Sequence, residues 1–280
     1  MNFPIRFGIQ TPQQHTTWPE ILSLWQELDT LDYDTAWLFD HFLPIFSDPA
    51  GPCLEGWTGL AALAMATRRL RLGLMVTGNT YRHPAVLAKM AATVDIISSG
   101  RLILGLGAGW FELEHRQYGI PFHTTRERLG RLDEALTIIK LLWTEQRINF
   151  SGKYFKLENA SMNPRPAQQP HPTILIGASG EKVALGIVAR HAEMWNSFGT
   201  PEVFRSKIRL LDEHCRRVGR DPATIEKSVL MDGNFALDHA RRQVDAYIAA
   251  GVTHIIYSVG PGDRAWIRNF AERIIPNYRA

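Results

Sequence analysis

The chain has 280 residues, 45% of them hydrophobic, enough to bury the core of one enzyme-sized domain spanning 1–280. A formal net charge of +3, with Lys and Arg scattered instead of clustered, argues against a nucleic-acid partner. No uncharged apolar run approaches the ~18 residues of a membrane helix, and Cys53 and Cys215 have no paired spacing.

From the N-terminus, Met1–Gly8 lacks a basic segment followed by an apolar run, so no leader and a reduced, cytoplasmic chain are expected. The first strand is predicted at Ile5–Gln10. A helix follows, with Trp18, Ile21, Leu22, Trp25 and Leu28 three and four apart. Further strands are predicted at Thr35–Phe39, Leu70–Val76 and Leu102–Leu106, the last two rich in Leu, Ile and Val, as strands buried on both faces are. Leu129, Leu132, Leu136, Ile139 and Leu142 mark another amphipathic helix. Residues Arg147 to Pro172 break the pattern: a hairpin candidate (INF-SGK-YFKL) precedes NPRPAQQPHP, whose four prolines suit an extended wall or lid. Strands resume at Thr173–Gly177, Glu193–Ser197, Lys227–Met231 and His254–Val259. Eight strands alternating with helices predict a closed (β/α)8 barrel with an insertion at 147–172 between its fourth and fifth units. An open doubly wound sheet is the alternative.

In either architecture ligands gather where strands empty into loops. Asp40 and His41 follow the second strand, where an imidazole could act as acid, base or donor with a carboxylate fixing its orientation; a cap and a solvated histidine are the bland reading. After the fourth strand, Gly105, Gly107 and Gly109 either let backbone approach a flat or anionic ligand or serve tight packing. This run is not the dinucleotide fingerprint. Gly177, Ala178, Ser179 and Gly180 offer a phosphate free N–H groups and a hydroxyl at a helix start. Ser258–Gly262, after the last strand, is the rival turn and the default one for barrels. No paired His or Cys motif points to a metal, and G-x-S-x-G is absent.

With these residues placed, the chain resembles the bacterial luciferase-like superfamily of flavin and deazaflavin oxidoreductases. The resemblance is carried by LFDHF (Leu38 to Phe42), the run from Val76 to Trp110, LWTE after the long helix, and HPTILIGASGEK (His171 to Lys182). The wording is most similar to the branch using the deazaflavin coenzyme F420. The resemblance implies a (β/α)8 barrel, cofactor at the outgoing strand ends and a homodimer. It places a bulge with a non-proline cis peptide at Met75 and Val76, with Thr77 just beyond, behind the isoalloxazine ring. It assigns Asp40 and His41 to the ring's surroundings, Gly107, Ala108 and Gly109 to the glycine loop, and Gly177 to Gly180 to the phosphate. The sugar-phosphate dehydrogenase branch carries Trp after its Asp-His pair and Glu after its glycine loop. Here Ile45, Trp110 and Phe111 stand at those places, which predicts a more apolar pocket.

These readings predict an F420-dependent oxidoreductase acting on a small organic substrate, with His41 as proton partner and Asp40 orienting it or binding the ring. The alternatives are an FMN-dependent monooxygenase fed by a separate reductase, a flavin-binding protein without turnover, and, more distantly, a metal-dependent barrel hydrolase.

Overall fold

A computed structural model describes residues 3–233 and 235–279. Met1 and Asn2, which open the stretch read above for a leader, lie outside them. In chain order the elements are β1 (Arg6–Gln10), α1 (Trp18–Leu28), β2 (Thr35–Leu38), α2 (Gly56–Ala66), β3 (Arg71–Leu74), β4 (Thr77–Gly78), α3 (Pro84–Ile97) and β5 (Leu102–Gly107). Then come α4 (Glu112–Gln117), α5 (Thr125–Thr144), β6 (Ile148–Ser151), β7 (Lys156–Ala160), β8 (Thr173–Gly177), α6 (Ala184–His191) and β9 (Met194–Ser197). The chain ends with α7 (Pro201–Arg217), β10 (Glu226–Asp232), α8 (Leu237–Ala249), β11 (His254–Ser258) and α9 (Arg264–Arg273).

The strands close into a ring. β1 pairs in parallel with β2 on one side and with β11 on the other, from Arg6↔His254 to Gln10↔Ser258. β3 and β4 follow one stave and both pair with β5. A ring without edges excludes the open sheet. The predicted strand Leu70–Val76 is interrupted, because the chain leaves the ladder at Met75–Val76, which is a cis peptide, and re-enters it at Thr77.

Capping explains where helices begin. At α5, Thr124 Oγ1 accepts the Glu127 N–H while the Glu127 carboxylate accepts the Thr124 N–H, a reciprocal box. Glu55 starts α2 by accepting the Trp57 and Thr58 N–H groups. The barrel interior is filled by Trp37, Met75, Ile103, Leu175, Met194 and Ile256. Below them, at the N-terminal strand ends, lies a polar plug: Arg6 pairs with Glu226 at 3.1 Å, Arg71 donates to Thr173 Oγ1, and His254 Nε2 meets Thr35 Oγ1. His254 is fully buried, and burial, then Arg6 and Arg71, hold its pKa down at about 3. The bottom of the barrel is thus shut, and only the C-terminal mouth is left for chemistry.

β6 and β7 form an antiparallel hairpin outside the ring. Glu134 of α5 anchors it by accepting the N–H groups of Lys153, Tyr154 and Phe155. The chain then descends along the outer helices, where Gln168 binds the Asp95 carboxylate. These contacts lie on the flanks of α3 and α5, beside the barrel.

Candidate active site

The floor of the mouth is the break between β3 and β4. Its carbonyl at Met75 accepts from Gln10 Nε2 (3.0 Å), the Met75 N–H donates to the Leu38 carbonyl, and Trp57 Nε1 donates to Thr77 Oγ1 (3.1 Å). Thr77 is fully buried, so its side chain holds the floor in place. Val76 leans across the neighbouring strands. A Cβ on Gly107 would lie 2.7 Å from Val76 Cγ2, and one on Gly177 only 3.1 Å from the same atom. Both glycines therefore make room for Val76. Gly109 has φ +79° and a carbonyl held by Arg128 Nε, so this turn requires glycine on backbone grounds. Ala108 lies between them, half-buried.

The wall is built from the loop after β2 and from α4. His41 Nδ1 lies 2.7 Å from Glu114 Oε1, and Glu114 Oε2 accepts the Phe42 N–H at 2.8 Å. The Tyr81 hydroxyl donates to Glu114 Oε1 as well. Burial pushes the Glu114 carboxyl up, but the bonds from His41, Tyr81 and Phe42 outweigh it and hold it below the ordinary glutamate value of 4.5. A carboxylate against Nδ1 favours the tautomer with hydrogen on that nitrogen, and Nε2 has no partner among the described residues. The imidazole is caged edge-on by Phe39, Trp110 and Phe111, at centroid distances of 5.1, 5.7 and 5.8 Å.

Asp40 makes no hydrogen bond to His41 among the described residues. Its buried carboxylate forms a two-pronged pair with Arg82 (2.6 and 3.1 Å), whose guanidinium also reaches Glu55 at 2.7 Å. Burial raises the Asp40 pKa against the pull of Arg82. The orienting role falls to Glu114, which sequence reasoning passed over. The signal in the sequence is a carboxylate on a short helix just after the glycine loop, four residues beyond Trp110.

The two candidate anion turns differ. At Ser258–Gly262, the Val259 N–H donates to the Gln10 carbonyl and the Gly260 N–H to the Asp263 carboxylate, so the turn is filled and carries a negative charge. At Gly177–Gly180, Gly177 belongs to β8 and the Ala178 N–H donates to the Asn196 carbonyl. α6 begins only at Ala184. Two of the four expected donors therefore serve the barrel. Ser179 and Gly180 are exposed, with no backbone partner for their N–H groups among the described residues, and exposed Lys182 follows. A groove of about 750 Å³ between α2, α3 and residues 160–163 contains none of these candidates.

A deazaflavin fits this donor set. Asn79, just beyond the floor and 5% exposed, has a buried Nδ2 with no partner among the described residues, suited to a ring carbonyl. Val76 offers an apolar face, and the Ser179–Gly180 turn with Lys182 suits a phosphate.

The family model for luciferase-like monooxygenases matches residues 1–274. An F420-dependent glucose-6-phosphate dehydrogenase of Microbacterium testaceum (strain StLB037) is 31% identical over 243 residues, 85% of this chain and 71% of that protein. An F420-dependent hydroxymycolic acid dehydrogenase of Mycobacterium tuberculosis is 31% identical over 203 residues, 72% of this chain and 55% of that protein. Three further relatives named as glucose-6-phosphate dehydrogenases are matched over 52%, 45% and 47% of their lengths, so the chain spans about half of each. Among solved structures, an F420-dependent secondary alcohol dehydrogenase superposes with a TM-score of 0.88 at 18% identity, covering 99% of this chain and all of that one. The chain belongs to the luciferase-like monooxygenase family.

Proposed function

We propose that this chain is an F420-dependent oxidoreductase that passes hydride between the deazaflavin and a small organic substrate at the barrel mouth. The observation that carries the reading is the His41–Glu114 pair beside the Val76 floor: an imidazole of fixed tautomer with one nitrogen free. The F420-dependent relatives support the choice of cofactor. Bound there, a deazaflavin supplies two-electron hydride transfer and reacts poorly with oxygen. Val76 would back the ring, Asn79 Nδ2 would donate to it, and Ser179, Gly180 and Lys182 would hold the phosphate. His41 Nε2 gives or takes the substrate proton, while Glu114 stabilises the imidazolium that results. Asp40, through Arg82 and Glu55, pins the His41 loop to the start of α2. The chain acts as a homodimer in a reducing cytoplasm, without nucleic-acid or membrane partners, and Cys53 and Cys215 stay free thiols.

The test is anaerobic turnover of F420 across a panel of carbonyls, imines and activated alkenes, in wild type and in His41→Ala at equal cofactor loading. Turnover that drops roughly 100-fold in the variant supports the reading. Oxygen consumption with reduced FMN, and none with F420, would replace it with a monooxygenase served by a separate reductase.

A further inference from the structure

Five large aromatic side chains are exposed among the described residues: Phe46, Trp110, Tyr118, Phe198 and Phe235 at 91, 51, 56, 60 and 39%. All five lie in connections that leave the C-terminal strand ends, after β2, β5, β9 and β10. Scattered surface aromatics need no explanation, but a set confined to the rim of the one open end does. The collar also reaches the reacting group. Phe46 and Trp110 stack with centroids 5.6 Å apart and planes 17° apart, and Trp110 meets His41 edge-on.

The charges around His41 point the same way. Arg82 is engaged by Asp40 and Glu55. Arg128 is engaged by the carbonyls of Gly109 and His123 and lies over the Phe122 ring. Lys207 is buried against Ser197, and Lys182 stands on the turn assigned to the cofactor phosphate. No free cation among the described residues touches His41, whose ion-pair partner is the Glu114 carboxylate. A phosphorylated sugar would meet aromatic faces and an anion where it needs guanidinium or ammonium groups.

We propose that the substrate is an uncharged molecule with a hydrocarbon portion clamped by the Phe46–Trp110 stack, and that this pair sets chain-length preference and rejects sugar phosphates. The proposal rests on the mouth being the reaction site, as in the proposed function. Both side chains are at least half exposed, so Phe46→Ala and Trp110→Ala leave the barrel core untouched.

The experiment measures, by calorimetry, binding of 2-pentanone, 2-heptanone, 2-nonanone and glucose 6-phosphate to cofactor-loaded protein, in wild type and in the Phe46→Ala/Trp110→Ala double variant. The expected result is affinity rising by up to about fourfold per added CH2 in wild type, from the transfer free energy of a buried methylene. The slope should flatten in the double variant, and glucose 6-phosphate should not bind at millimolar concentration. A flat wild-type slope, an unchanged slope in the variant, or glucose 6-phosphate binding as tightly as 2-nonanone would overturn the proposal. So would a flat slope together with Phe46- and Trp110-dependent pelleting on phosphatidylcholine vesicles, which would make the collar a lipid contact. Loading with F420 and FMN in parallel separates the two readings. A chain-length slope seen only with FMN keeps the collar and defeats the F420 assignment, whereas tight F420 binding with a flat slope defeats the collar alone.

Discussion

Replacing Glu114 with Gln keeps the side-chain shape and removes the charge. In the protein, Oε1 accepts from both His41 and Tyr81, and Oε2 accepts from Phe42 N–H. A Gln amide can offer its oxygen to only one of these sides, so an N–H group must face a donor on the other. Leaving a buried donor without its acceptor costs about 1–3 kcal/mol, and the lost charge adds to it, giving about 2–4 kcal/mol of destabilisation. The effect on chemistry is separate. A Gln amide can turn its N–H toward His41 Nδ1, so the imidazole loses the acceptor that orients it. At saturating cofactor, single-turnover hydride transfer should therefore fall about 100-fold. Because Glu114 is held below its ordinary 4.5, its stabilisation is complete above that pH and is lost as pH falls through the lowered value; Glu114→Gln should lack this acid-range loss. An unchanged rate would refute the role given to the pair.

Gly107→Ala should cost about 1–3 kcal/mol, because its Cβ meets Val76 Cγ2 at 2.7 Å, and adding Val76→Ala should recover part of it. Urea midpoints check this, and a double variant no more stable than Gly107→Ala alone would contradict the packing account. His254 stays neutral down to about pH 3 when folded but protonates near 6.5 when unfolded, so stability should decline as pH falls between those values. Between pH 6.5 and 4.5 wild type should lose about 2–3 kcal/mol more than His254→Gln, and parallel denaturation slopes would refute it. Ser179→Glu places a carboxylate on the open turn and should weaken F420 binding at least tenfold without changing the melting temperature. Equal affinity in fluorescence titration would return the phosphate to another turn.

The barrel was legible because its strands are buried on both faces and its helices carry 3.6-residue spacing, signals that lie within single elements. Burial of His41 beside the mouth follows from its place after β2. Its partner was not legible: Glu114 meets His41 only because α4 folds the chain back after β5, and no local spacing encodes that approach. Asp40 misled for the same reason, since adjacency in sequence points two side chains apart at a strand end, and Arg82 claims one of them. The Met75–Val76 break came from resemblance, because a strand interrupted for two residues keeps the apolar composition of an unbroken one. Gly177 was read as an open donor, yet what demands glycine there is the Val76 side chain from another strand.

The most direct test of the account is parallel equilibrium titration of the purified chain with F420 and with FMN, followed by fluorescence and calorimetry. The account predicts saturable binding of F420, at least tenfold tighter than FMN, and weakened by Ser179→Glu but not by Gly260→Val. Preferential binding of FMN, or F420 binding lost in Gly260→Val and retained in Ser179→Glu, would contradict it.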